Sequence, residues 1–181
     1  TSTVTIIEPD ELILSLNGTD IKCNGDIPST GIIVVTTTGG TTPMQFRIDG
    51  GAWQGSGTFN NVSAGTHTVD VLDANGCTKS KDITINEPTP IVLGIPVPVN
   101  PTCSTLGSIT VSASGGTGTL VYTLNPGSIS NIIGQFDGVG AGVYTISVTD
   151  DNLCGPVSTA PITITSPSLI SIDDISIIPV T

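Results

Sequence analysis

Short stretches in which apolar and polar residues alternate, broken every few positions by Gly, Pro or Asn, fill this chain from end to end. Met44, Phe46 and Ile48 alternate with Gln45, Arg47 and Asp49, and His67, Val69 and Val71 with Thr68 and Asp70. A period of two places successive side chains on opposite faces of a strand, so each stretch predicts a strand with one buried face. The apolar residues are mainly Ile, Val and Leu, and the breaks are turn chemistry. No stretch sustains helical periodicity, and no apolar run is long enough to span a bilayer.

The pattern repeats. TIIEPDELIL from Thr5, TINEPTPIVL from Thr84 and TITSPSLISI from Thr163 begin 79 residues apart. Each reads as strand, x-Pro, strand. Proline has no amide donor and drives its neighbour into extended backbone, so it marks a seam between units. Between seams the copies align: FNNVSAGTHTVDVLDANGC pairs with FDGVGAGVYTISVTDDNLC. The expected organisation is a closing strand of a preceding repeat (1–9), one repeat over 10–88, a second over 89–167, and the opening strand of a following repeat (168–181).

One copy serves as a control for the other. Ile33 and Val35 match Ile109 and Val111, whereas Ile32 and Val34 match Ser108 and Thr110, so Ile33 and Val35 point inward. Phe46 and Ile48 match Tyr122 and Leu124, while Val69 and Val71 match Ile146 and Val148. Each repeat offers about six or seven short strands, which fold as two sheets face to face. The predicted class is all-β: two tandem Ig-like β-sandwich repeats, end to end. Gly39-Gly40 and Gly115-Gly116 read as turns needing positive φ, and Asn75-Gly76 as a type I′ hairpin turn.

Charge narrows the partners. Four Lys and Arg stand against 15 Asp and Glu, a net charge of -11. Nucleic acid requires clustered cations to neutralise phosphates, and an anionic membrane surface requires the same, so neither is expected as a partner. The chain begins at Thr1 with neither Met nor a leader, which reads as a processed chain or an excerpt.

The four cysteines, Cys23, Cys77, Cys103 and Cys154, contain no CxxC pair. Two per repeat fits structural disulfides and an oxidising compartment. Pairing within a repeat, Cys23–Cys77 and Cys103–Cys154, lets each repeat fold alone and closes loops of about fifty residues, worth about 4 kcal/mol. In a standard Ig order, however, these partners fall near opposite ends of the sandwich. A bond across the seam, Cys23–Cys154, is the alternative.

Cys, then G-x-I-x-V-x-x-x-G-G, then an aromatic strand, then F-x-x-V-x-A-G-x-Y-T-I-x-V-x-D-x-N-x-C and I-T-I-x-x-P together resemble the SprB-type repeat. The densest match lies in 64–77 and 141–154, and the departures are His67 for Tyr and Leu153 for Gly. The resemblance implies large surface adhesins of gliding, Bacteroidetes-type bacteria. It also implies export to the cell surface, commonly by type IX secretion, and adhesion or gliding motility as the process served.

Candidate chemistry is sparse. His67, the single histidine, stands where the second copy has Tyr144, the place of a corner tyrosine, so a structural role is expected. Asp70, Asp73, Asp150 and Asp151 crowd the two equivalent hairpins and are weak calcium candidates, since hard oxygens in a tight turn suit that ion. The seams EPDE, EPTP and SPSL repeat no carboxylate set, so no metal and no cofactor is expected. No acid/base pair, nucleophile or phosphate loop stands out, and no enzyme is expected.

The reading is an extended stalk whose partners are neighbouring repeats or copies of the same chain. Two alternatives stand beside it. One is an extracellular filament subunit, with TSTVTII and LISIDDISIIPV completing neighbouring chains by strand addition. The other is a carbohydrate-binding module using Trp53 or Tyr122 as a platform for surface glycans.

Overall fold

The computed structural model describes residues 10–27 and 29–168; the strand segments expected at 1–9 and beyond 168 lie outside the described residues. Every regular element among the described residues is a strand. The chain divides into two compact units at Pro90 and Ile91, with 115–117 grouped with the first. Each unit is an Ig-like β-sandwich.

The first unit holds β1 (Ile13–Thr19), β2 (Gly31–Thr38), β3 (Gln45–Ile48), β4 (Thr58–Val62), β5 (Gly65–Leu72) and β6 (Thr78–Ile85). One antiparallel sheet runs β1-β2-β4 and the other β3-β5-β6. The registers set Leu16 opposite Val35 and Ile33 opposite Phe59 in the first sheet, and Phe46 opposite Val71 in the second. The alternation does what period two demands. Ile33, Val69 and Val71 are fully enclosed, while Val34 faces outward. Leu12, Leu14, Phe46, Phe59 and Ile85 complete the core.

The second unit uses the same apolar positions in a more broken frame. It comprises β7 (Val92–Leu93), β8 (Val97–Val99), β9 (Gly107–Thr110), β10 (Ala113–Ser114), β11 (Val121–Asn125), β12 (Ile129–Asn131), β13 (Gln135–Val139), β14 (Gly142–Thr149), β15 (Val157–Ser158) and β16 (Ile162–Ile164). One sheet is β13-β9-β8. The other runs β12-β11-β14, with β15 and β16 pairing in turn along β14, and β7 pairs with β10. Ile109, Val111, Ile146, Val148 and Ile164 form the centre of its core.

Proline explains the breaks. The first unit's TKSKDITI is one continuous strand, but the corresponding segment of the second is GPVSTAPITI. Pro161 cannot donate to a ladder, so the single strand becomes β15 and β16. Pro98 sits within β8, which lies at a sheet edge where the missing donor is tolerated.

Both units share one irregularity that strict alternation does not foresee. Phe59 and Val62 are three residues apart yet both buried, as are Phe136 and Val139. A β-bulge resolves this. Asn61 is the unpaired residue between the Asn60–Ile32 and Val62–Gly31 pairs, and Gly138 is its equivalent between Asp137–Ser108 and Val139–Gly107. Both adopt positive φ, 58° and 74°. The bulge brings backbones so close that a Cβ on Gly31 would lie 2.3 Å from the Val62 carbonyl oxygen. This accounts for glycine at the head of G-x-I in both copies.

Candidate functional site

At the start of β5 the His67 ring is closed off at both nitrogens. Nδ1 lies 2.7 Å from Asp49 Oδ2 and Nε2 lies 3.0 Å from the Ser63 carbonyl oxygen. In the second unit Tyr144 Oη donates to the Gly140 carbonyl oxygen at 3.2 Å. The histidine therefore occupies a tyrosine corner and ties the same loop back to the same strand. Asp49 also accepts the Thr68 amide at 2.9 Å. The hydrogen bond to Asp49, reinforced by the Ser63 carbonyl, raises the His67 pKa against the opposing effect of burial. The hydrogen bond from His67 correspondingly lowers the pKa of Asp49.

The hairpin turns are organised by aspartate. Asp73 Oδ1 accepts the amides of Asn75 and Cys77 at 2.9 and 2.7 Å, and its Oδ2 accepts the Thr41 amide at 3.0 Å. These amide donors, that of Thr41 foremost, lower the Asp73 pKa. Asp150 repeats the arrangement, with Oδ1 accepting from Asn152 and Cys154 at 3.0 and 2.9 Å. Both aspartates are buried. The role was encoded in D-x-N-x-C, identical in the two copies, and the reading of these residues as metal candidates passed over it.

The four aspartates are not gathered into one site. Asp70 takes a hydrogen bond from the Ser80 hydroxyl and pairs with Arg47 Nε at 2.7 Å, which together lower its pKa. Asp151 accepts the Thr119 amide at 3.0 Å. Among the described residues no group of three or more His, Cys, Asp or Glu is arranged to hold a metal.

The turn itself differs from the expected type I′. The Gly76 amide donates to the Asp73 carbonyl at 3.1 Å, and of the loop residues Gly76 alone has positive φ, 87°. A type I′ turn needs positive φ at both central residues, here Ala74 and Asn75. This is instead a type I turn followed by a left-handed glycine. In the second unit Leu153 fills the glycine's place at φ 64°.

The preferred disulfide pairing, Cys23–Cys77 and Cys103–Cys154, does not form. Cys77 and Cys103 are exposed free thiols. Strand length gives the reason. Cys77 immediately precedes β6, whereas the Cys23 loop is fastened beyond its far end, where Asn24 Nδ2 donates to the Pro88 carbonyl at 3.1 Å. Eight residues of strand separate the two by about 26 Å, whereas a bridge needs Cα atoms within about 7 Å. In the second unit the Thr165 amide donates to Asn100 Oδ1 at 2.9 Å, placing the Cys103 loop at the β16 end; Cys154 lies past the opposite end of β14.

Of the two candidate sugar platforms, Tyr122 is closed off and Trp53 has one ring face covered. Tyr122 is buried, and its hydroxyl accepts the Ala113 amide at 3.0 Å. Trp53 is half-buried, with the Arg47 guanidinium 4.5 Å from its ring centroid. Arg47 thus bridges Trp53 to Asp70 and covers one ring face. Equivalent grooves open beside the two corners, about 480 Å³ next to His67 and about 320 Å³ next to Tyr144. The first is lined by Gln54, Asn60 and Asn61, the second by Pro126, Ile129 and Tyr144.

The fold and the two corners define a pair of Ig-like repeat modules built on one plan. Residues 96–129 match the family model described as SprB repeat, in agreement with the resemblance read from the motifs. SprB repeats occur in cell-surface proteins. No curated protein matches the chain. Among solved structures it is similar to the C-terminal 282-residue fragment of intimin in complex with the intimin-binding domain of the translocated intimin receptor. That match has 16% identity and a TM-score of 0.41, covering 89% of this chain and 64% of that one. Among the described residues no helix is long and apolar enough to cross a membrane.

Proposed function

We propose that this chain is part of the stalk of a secreted bacterial surface adhesin, in which tandem Ig-like repeats of about 79 residues hold a binding tip away from the cell. The observation that carries this reading is the recurrence of three devices at matching positions in both units. These are the F-x-x-V bulge, the corner at His67 or Tyr144, and the aspartate-organised D-x-N-x-C turn. A module duplicated with its detailed joinery supports a role served by repetition, and short x-Pro seams suit a semi-rigid string. Strands of up to eight residues span about 26 Å, and the loops at their ends extend this to roughly 30–40 Å of reach per repeat. The match of 96–129 to the SprB repeat supports export to the cell surface and service in adhesion or gliding.

Small-angle scattering of the purified chain tests this directly. An elongated profile, with a maximum dimension about twice that of one repeat, is the expected result. A compact profile, with the two units folded against one another side by side, defeats the reading.

A further inference from the structure

The groove of about 480 Å³ beside His67 holds polar groups that the fold of the first unit does not use. One wall is the edge strand β4, which carries Asn60 and Asn61; the other carries Asp49 and Gln54. The Asn60 and Asn61 side chains are exposed and take part in no hydrogen bond among the described residues. The Asp49 side chain is 52% exposed, and its carboxylate accepts from His67 and the Thr68 amide, which leaves acceptor sites open.

The sister groove is a control. In the second unit Asp137 and Gly138 stand where the first has Asn60 and Asn61, and the polar side chains around them are satisfied within the protein. Asn131 Nδ2 donates to the Gln135 carbonyl at 2.9 Å, and Asn131 Oδ1 accepts the Ile133 and Gly134 amides at 2.9 and 2.7 Å. Gln135 Nε2 donates to Asp137 Oδ2 at 3.0 Å. The bulge needs only a residue that tolerates positive φ, and Gly138 supplies that without an amide. Packing therefore does not account for the paired amides of the first unit.

Their chemistry narrows what fits the groove. A side-chain amide both donates and accepts, as a sugar hydroxyl does, so two adjacent amides and a carboxylate match a run of vicinal hydroxyls. An anionic ligand would meet the Asp49 carboxylate, and the nearby His67 has both ring nitrogens engaged. An apolar ligand would bury the amides without partners, which is costly. An added peptide strand finds the β4 edge occupied. The Thr58 amide donates to Ser56 Oγ at 3.1 Å, and the Thr58 carbonyl accepts from Gln54 Nε2 at 3.2 Å.

We propose that the groove beside His67 binds a neutral carbohydrate, whose vicinal hydroxyls are held by Asn60, Asn61 and Asp49. The equivalent groove of the second unit does not share this role. The site goes beyond the stalk reading and does not depend on it, since it belongs to one repeat whatever the shape of the whole chain.

An NMR titration of the full chain tests the site. The probes are the neutral oligosaccharides maltotriose, cellotriose and mannotriose, with trigalacturonate as an anionic counterpart. Saturable shifts are expected at the Asn60 and Asn61 side-chain amides and at the His67 ring protons with at least one neutral probe. The Asn131 and Gln135 side-chain amides should stay still, and trigalacturonate should shift neither set.

The double variant Asn60→Asp, Asn61→Gly installs the sister's residues and should weaken binding about tenfold, with the urea midpoint of the unit held. Asn61→Gly alone, which keeps the bulge, should show part of that loss. The proposal is overturned by any of four results: no saturable shift at the groove from any neutral probe, equal shifts in both grooves, preference for trigalacturonate, or full affinity in the double variant. Binding together with a compact scattering profile would leave the site in place and fault the stalk reading instead.

Discussion

His67 and Asp49 form a charge-assisted pair at 2.7 Å in which the imidazole has no acceptor role to play. Its other nitrogen faces the Ser63 carbonyl oxygen, which only accepts. With the Asp49 carboxylate also accepting, a proton on each ring nitrogen satisfies both contacts, so the corner favours the imidazolium form. The sister corner achieves the same closure with the neutral hydroxyl of Tyr144.

A pH dependence follows for the first unit. The folded pKa of His67 is raised above 6.5, so its contribution is complete below that value and is lost as pH rises through the raised one. Asp49 limits the acid side: its contribution stands above the ordinary carboxylate range and fades as pH falls through its lowered pKa. Ring-proton NMR of the single histidine should titrate with a midpoint above 6.5. His67→Tyr should flatten the alkaline limb of the thermal stability profile. A midpoint at or below that of a free histidine would contradict the geometry.

Leu153 occupies a left-handed position that its counterpart fills with Gly76. A Cβ there costs roughly 1–2 kcal/mol per residue, and the side chain is largely exposed, so little packing offsets it. Leu153→Gly should therefore stabilise the second unit by about 1 kcal/mol in denaturant unfolding. Gly76→Leu should destabilise the first by a similar amount. Equal midpoints for Leu153→Gly and the parent chain would show that the turn is not strained.

The bulge residue makes a complementary case. Asn61 at φ 58° sits where Asn is tolerated and β-branched residues are not. Asn61→Gly should be near neutral, reproducing Gly138. Asn61→Val should cost about 1–2 kcal/mol, because the alternative is an unbulged strand that turns either Phe59 or Val62 out of the core. Urea melts of both variants decide between these outcomes.

Core burial gives the largest expected effect. Ile146 is fully enclosed at the centre of the second unit, whereas Val143 on the same strand is 59% exposed. Ile146→Ala should cost roughly 2–5 kcal/mol. Val143→Ala should stay within about 0.5 kcal/mol. Comparable losses at both positions would mean that the strand's faces are assigned the wrong way round.

The strands and their inward faces were legible because the two copies differ where side chains meet water and agree where they meet each other. Ile33 against Ile109, and Ile32 against Ser108, settled one face without further information. The corner role of His67 was readable for the same reason. What escaped was set by backbone conformation. F-x-x-V looks like broken alternation until the positive φ at Asn61 and Gly138 is seen. The buried aspartates of D-x-N-x-C look like surface ligands until their amide donors are located. The cysteine pairing failed because the benefit of closing a loop outweighed, in that reading, the length of strand lying between the partners.

The proline interruptions of the second unit and the lysines of the first bear on how neighbours of one design avoid exchanging parts. Modules this alike invite strand swapping, since an edge of either presents nearly the same ladder. β6, at one edge of the first unit, carries Lys79 and Lys81, half of the chain's four basic residues. The corresponding edge of the second unit is cut by Pro161, and β8 by Pro98. An incoming strand that fits one border finds charge or a missing donor at the other, and so each module assembles from its own segments.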